Sequence, residues 1–314
     1  MPPSMAWRAA LLLLHVGTSA VCAAGFPSEP SPAVVKPAPP PLPQQPDRWL
    51  PFRVFNWRDK LEQPVNKLTV DRQGYLWAGT PKGAAVYNGH AWQPVPLPVD
   101  PPDTEVTSLL AARDGSLWFG TRSRGLLRHH RDGWQHLHPG EPGAAAPHIR
   151  FLIESARGEQ AVTWAGTSQG LARCTEAGCR PVPSLWGLSV RALAPTQGGD
   201  GRPAFWVATA RGLVRLDGIE TDRPVLAPLL FDHRNALPSD SVRSLATSTS
   251  ADGHVSLWVG TDEGGLARLR NGAWTRYDRR AGFPLNSVAA LLTGRHEEKP
   301  VLWAATFGAG LIRI

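Results

Sequence analysis

Four histidines fall within ten residues of one another: His129, His130, His136 and His138. A two-residue turn at Asp132-Gly133 would set His129 opposite His136, with His138 on the same face. Three imidazoles on one face could hold zinc, so His129, His136 and His138 are candidate metal ligands. A solvated outer strand is the competing reading, and no cofactor is expected. Gly166-Thr167-Ser168-Gln169-Gly170 matches the G-x-S-x-G pattern of a hydrolase nucleophile. That pattern works on a strand-to-helix turn that lifts the serine out of a sheet. Here it falls on a turn between strands of a repeat, so no catalytic serine is expected. Cys174 and Cys179 flank Thr175-Glu176-Ala177-Gly178, a hairpin-length loop. An oxidising compartment favours a local disulfide between them. The alternative is two unpaired thiols on adjacent strands.

The elements that carry these residues are set by a repeat. A Trp-x-Gly/Ala-Thr motif recurs at Trp77, Trp118, Trp164, Trp206, Trp258 and Trp303, with spacings of 41, 46, 42, 52 and 45 residues. That period matches one four-stranded propeller blade. Each copy has an apolar segment, a polar turn with Gly, the Trp strand and a second turn. A Gly-Leu strand follows, as in Gly125-Leu126-Leu127-Arg128 or Gly265-Leu266-Ala267-Arg268. Asn88-Gly89, Asp132-Gly133 and Asn271-Gly272 are pairs that favour tight hairpins into an outer strand. The ring of each Trp beside a small residue suits interlocking blades. The Thr that ends the motif is placed to hydrogen-bond the turn after it. The fold class predicted is all-β: a β-propeller of six four-stranded blades. The C-terminal copy stops at Gly310-Leu311-Ile312-Arg313-Ile314, a third strand. Residues 51–59, similar to Trp274-Thr275-Arg276-Tyr277-Asp278, are expected to supply its outer strand and close the ring. Seven blades are the alternative if the natural chain is longer.

Residues 1–24 read as a signal peptide, with Arg8 before an apolar stretch and small residues at Val21-Cys22-Ala23-Ala24. A lipid-modified Cys22 is a poorer fit because Val21 precedes it. Residues 25–47 form a Pro-rich linker in extended conformation, and residues 48–314 form the propeller domain. No other stretch reaches the length of a membrane helix. The expected location is periplasmic or secreted. The net charge of +7 contains no basic run, and nucleic acid is not an expected partner.

Asp71-x-x-Gly74-x-Leu76-Trp77-x-Gly79-Thr80-x-x-Gly83 resembles the two-component regulator propeller repeat, as does Asp114-Gly115-Ser116-Leu117-Trp118-Phe119-Gly120-Thr121. Ala236-Leu237-Pro238-Ser239-Asp240-Ser241-Val242 and Gly282-Phe283-Pro284-Leu285-Asn286-Ser287-Val288 resemble its entry into the next blade. The resemblance covers residues 49–314. It implies a periplasmic input propeller of the kind found in sensor histidine kinases and diguanylate cyclases. In that family a membrane helix and an output domain normally follow, and neither is expected in this chain.

Propeller ligands gather at loops on one face. Loops after the Trp strands carry Lys82, Arg122, Arg124, Arg211, Asp262 and Glu263. Loops entering the innermost strands carry Glu105, His148, Arg150, Arg191, Asp240, Arg243 and Asn286. Lys82, Arg122, Arg124, His148, Arg150, Arg191, Arg211 and Arg243 are the candidate ligand-binding residues, for an acidic saccharide or peptide. Solvated loop tips are the competing reading. The function expected is a non-catalytic sensor or binding propeller. A lactonase-like or streptogramin-lyase-like enzyme would instead use Glu105, His148, Asp240 or Asn286 near the axis. A scaffold for protein partners is the third reading.

Overall fold

The computed structural model describes residue 61 and residues 64–314, except 101–103, 132, 141–144, 158–159, 198–200, 220, 222–223, 251–252, 284–286 and 297–298. Its strands form six antiparallel sheets in chain order. The first holds β1 (Lys67–Val70), β2 (Leu76–Thr80), β3 (Gly83–Tyr87) and β4 (Trp92–Val95). The second holds β5 (Val106–Ala111), β6 (Leu117–Thr121), β7 (Leu126–His130) and β8 (Gly133–Leu137). The third holds β9 (Ile149–Arg157), β10 (Gln160–Thr167), β11 (Leu171–Thr175) and β12 (Gly178–Pro181). The fourth holds β13 (Val190–Gln197), β14 (Pro203–Thr209), β15 (Gly212–Asp217) and β16 (Val225–Phe231). The fifth holds β17 (Val242–Thr249), β18 (Val255–Thr261), β19 (Gly265–Arg270) and β20 (Ala273–Tyr277). The sixth holds β21 (Val288–His296), β22 (Lys299–Thr306) and β23 (Gly310–Arg313). The first strands of successive sheets, β1, β5, β9, β13, β17 and β21, lie next to one another in that order. Four-stranded meanders set side by side through their first strands are the architecture of a β-propeller. The N-terminal strand expected to complete the sixth blade, the signal peptide and the linker lie outside the described residues.

The repeated motif explains both the turns and the packing. In all six copies the motif Thr hydroxyl lies 2.8–3.1 Å from the carbonyl of the Gly that opens the next strand: Gly83, Gly125, Gly170, Gly212, Gly265 and Gly310. Among the described residues, five of the six motif Trp side chains reach the following sheet. Trp77 meets Phe119 edge to face at 5.7 Å, and Trp164 meets Phe205 at 5.5 Å. Trp206 packs with Leu257 and Val259, and Trp258 with Leu302 and Ala304. These partners flank the next motif's Trp, because alternate side chains of its strand point back. The small motif residue leaves room for the next innermost strand. A Cβ on Gly79 would sit 2.7 Å from Val106 Cγ1, and one on Gly120 2.5 Å from Ile149 Cγ2. Four indole nitrogens are also satisfied, Trp77 by Asp71 and Trp118, Trp164 and Trp258 by serine hydroxyls, at 2.8–2.9 Å.

Two of the three expected hairpins differ. Asn271-Gly272 is a two-residue turn with φ of 51° and 77°, closing β19 onto β20. Asn88-Gly89 is half of a four-residue loop, because Tyr87 pairs with Trp92 and the Asn88 side chain accepts from the N–H groups of His90 and Ala91. The second blade turns one residue earlier than expected, so that Gly133 pairs with His130 and His129 faces Trp134. The observed register lies two residues from the expected one, so Trp134 keeps its face but moves opposite His129, where it packs at a tilt on Phe119 at 5.2 Å and on His129 at 4.6 Å.

Candidate functional site

In five sheets the first strand carries one extra residue beside the motif Thr, a β-bulge. The extra residues are Thr107, Arg150, Arg191, Arg243 and Ala289. In the first sheet Asn66 stands at the matching place, its N–H on the Gly79 carbonyl. These side chains lean toward the next sheet. Asn66 Nδ2 donates to the Val106 carbonyl at 3.0 Å, and the Thr107 hydroxyl meets the Ile149 carbonyl. Arginine fills the bulge in the third, fourth and fifth sheets in succession, and the charges of Arg191 and Arg243 both act on Arg150.

Their pairing is unequal. Asp262, in the turn after β18, accepts from Arg191 at 2.8 Å, Arg243 at 3.0 Å, the Ser241 hydroxyl at 3.1 Å and the Ser287 hydroxyl at 3.2 Å. Burial pushes the Asp262 carboxyl up, but Arg243, Ser241 and Arg191 together carry it below the usual carboxylate range. Arg191 and Arg243 each spend only their NH1 on these partners. The Arg243 guanidinium also lies 4.8 Å above the exposed ring of Phe307. Arg122 forks onto Glu105 through Nε and NH2, and Glu105 accepts from Asn66 at 3.3 Å. Arg150 has no hydrogen-bond or ion-pair partner among the described residues. Its end is exposed, yet the walls around it strip part of its hydration. That burial, then the charges of Arg191, Arg243 and Arg122, weakens its hold on the proton. Beside it, burial and the charges of Arg150 and Arg122 hold His148 at a pKa of about 4, so its imidazole is neutral. Four arginines thus face two carboxylates, which leaves the rim with two uncompensated positive charges. Such a rim can hold an anion.

Of the residues expected from sequence, Arg122, His148, Arg150, Arg191 and Arg243 form this group. Lys82, Arg124 and Arg211 instead occupy turns after the Trp strands, each with its backbone N–H on the motif Thr hydroxyl. Sequence reasoning missed Asn66, Ser241, Ser287 and Phe307. The candidate zinc ligands His129, His136 and His138 are not brought together as one close group in this structure. His129 faces Trp134, His136 Nε2 is bound to the Arg124 carbonyl, and His138 Nδ1 accepts from Gly140 at 3.3 Å beyond the strand end. Among the described residues the only His, Cys and carboxylate trio with all ligand atoms within 4.8 Å is Asp232, His233 and Asp240. Its members stitch one loop. Asp232 pairs with Arg234, and Asp240 accepts from the His233 N–H and meets its ring nitrogen at 2.8 Å. Ser168 lies in the β10–β11 turn, its hydroxyl 3.2 Å from the His148 backbone nitrogen, with no helix behind it. Cys174 and Cys179 face each other across β11 and β12 with Cα atoms 4.0 Å apart and are joined as a disulfide. Asn286 lies outside the described residues. A cleft of about 300 Å³ further out, lined by Arg276, Arg279, Arg280, Glu263 and Asp278 among others, contains none of the rim arginines.

This architecture defines a β-propeller with a basic inner rim. Residues 100–123 match the family described as two component regulator propeller, so the chain carries that repeat. A search of curated proteins found no match. Among solved structures, the chain is similar to virginiamycin B lyase from Staphylococcus aureus, with 20% identity, 78% of this chain and 79% of that chain covered, and a TM-score of 0.52. It is similar to PorZ of Porphyromonas gingivalis, with 13% identity, 80% and 40% covered, and a TM-score of 0.52. The extracellular domain of the hybrid two component system BT3049 from B. thetaiotaomicron matches at 16% identity, with 80% and 44% covered and a TM-score of 0.38. The chain therefore spans less than half the length of that domain. No helix among the described residues is long and apolar enough to cross a membrane.

Proposed function

We propose that this chain is an exported, non-catalytic sensor propeller that binds a small anionic ligand at its inner rim. Six blades form the ring, and residues 51–59 complete the last one. The single observation that carries the reading is the run of three bulge arginines with Arg150 unpaired. Structural ion pairs neutralise their charges, whereas a binding site keeps some in reserve. The leader at residues 1–24 and the disulfide support an oxidising, exported setting. Similarity to virginiamycin B lyase supports the fold and not its activity. Of the four residues named for an enzyme of that kind, Glu105 is paired with Arg122 and Asp240 with His233, His148 stands at the rim, and Asn286 lies outside the described residues. The test is calorimetric titration of the mature protein, purified from a periplasmic extract, with a panel of anionic saccharides and peptides. Saturable binding that Arg150→Gln abolishes supports the reading. Binding unaffected by that change, or turnover of a panel member, would refute it.

A further inference from the structure

The geometry of the rim goes beyond a general preference for anions. A planar carboxylate offers two oxygens and is satisfied by one or two arginine forks. Here three arginines come from three successive blades, each blade turned from its neighbour, and the charges of Arg191 and Arg243 both reach Arg150. Asp262 already occupies the meeting point of Arg191 and Arg243 and is saturated by four donors. What remains uncommitted among the described residues is the whole Arg150 guanidinium and the Nε and NH2 groups of Arg191 and Arg243. Donors converging from several directions suit a tetrahedral group with three free oxygens. The uncompensated charge of the rim is two, which matches a phosphomonoester carrying about −1.5 to −2 at neutral pH. His148, neutral beside Arg150, adds no third charge.

We propose that the bulge arginines bind a phosphate group, with Arg150 as the anchor and Arg191 and Arg243 as flanking donors. This rests on the reading of the rim as the ligand site. The shared chemistry is a tetrahedral dianion, whether free phosphate or the terminal phosphate of a phosphorylated ligand.

The experiment is calorimetry at low salt and about pH 7.5, where phosphate is mostly dianionic. The probes are inorganic phosphate, glucose 6-phosphate and, as a planar monoanion, glucuronate. Phosphate or its ester should bind more tightly than glucuronate. Arg150→Gln should weaken that binding about tenfold or more, and Arg150→Lys, which keeps the charge but loses the fork, by about threefold or more. Arg211→Gln should change it by less than about twofold. Thermal melts of each variant within about 2 °C of the parent establish that the fold is intact. A preference for glucose 6-phosphate over inorganic phosphate identifies an esterified ligand, and the reverse identifies free phosphate. Either supports the proposal. Arg150-dependent binding that favours glucuronate overturns the phosphate assignment and leaves the rim standing as an anion site. Absence of Arg150-dependent binding to all three probes overturns both.

Discussion

His148 makes the rim's electrostatics measurable without a ligand. In an unfolded chain its imidazole takes a proton near its ordinary value of 6.5, whereas in the fold it does so only near about 4. Burial is the first cause and the charges of Arg150 and Arg122 the next. Between those two values the unfolded chain binds more protons than the folded one. The sign follows: this residue's favourable contribution is complete above 6.5 and is lost as the pH falls toward 4. His148→Asn removes the titrating group and should flatten that part of the stability profile. Urea midpoints at about pH 7 and about pH 5 provide the check. The parent should lose more stability than the variant over this interval, and equal losses would mean that the fold does not lower the His148 titration. Arg150→Gln removes the second-named cause, so it should shift the same titration upward.

At the scale of strands and turns, one contact repeats around the molecule, and one departure from regularity builds the site. The repeating contact is the motif Thr on the Gly carbonyl that follows its turn. Thr261 is fully buried and bonded at 2.9 Å to Gly265. Thr261→Val should cost about 1–3 kcal/mol through the unmet carbonyl, measured by chemical denaturation. A Val at Gly120 would press on Ile149 and on the Ser108 hydroxyl, so Gly120→Val should cost about 1–3 kcal/mol by overpacking. Ala208 and Ala305 hold the same motif position in two other copies, so Gly120→Ala should cost less. These elements were legible in the sequence because Trp, Gly and Thr are dictated by burial, close approach and a polar turn. The departure, the β-bulge, was not. Its extra residue is Thr, Arg, Arg, Arg or Ala, so no residue type marks it. Sequence could assign Arg150, Arg191 and Arg243 to the entries of the innermost strands and Lys82, Arg124 and Arg211 to the turns after the Trp strands, but it could not show that the first three are the extra residues of β-bulges. The second-blade histidines are placed by a hairpin whose register the sequence did not show. Asp132-Gly133 is a strong local turn signal, but in the structure half-buried Trp134 pairs opposite His129 and packs on Phe119.

For the whole molecule, the bulge arginines stay aligned only if the blades keep their order, and that order depends on each Trp finding the next sheet. The described contacts run from the first sheet to the sixth: Trp77 to Phe119, Trp118 to Ala165, Trp164 to Phe205, Trp206 to Val259 and Trp258 to Leu302. Among the described residues β23 has one strand neighbour, β22, and Phe307, Leu311 and Ile314 are exposed around it. The segment Pro51-Phe52-Arg53-Val54-Phe55 is apolar apart from Arg53 and is similar to the outer-strand segment Trp274-Thr275-Arg276-Tyr277. Pairing it with β23 would cover these apolar groups and tie both ends of the repeat into one blade. The expected outcome is specific. Phe55→Asp and a form lacking residues 51–59 should both lower the thermal midpoint, by roughly 4 °C or more, since about 2–4 °C corresponds to each kcal/mol in a domain of this size. Because the rim is assembled from neighbouring blades, both changes should also weaken the Arg150-dependent anion binding. The matched substitution Thr275→Asp, on the outer strand β20 already paired with β19, should leave the ring closed and the binding intact. A midpoint unchanged by loss of residues 51–59 would mean that the sixth blade is completed by other means.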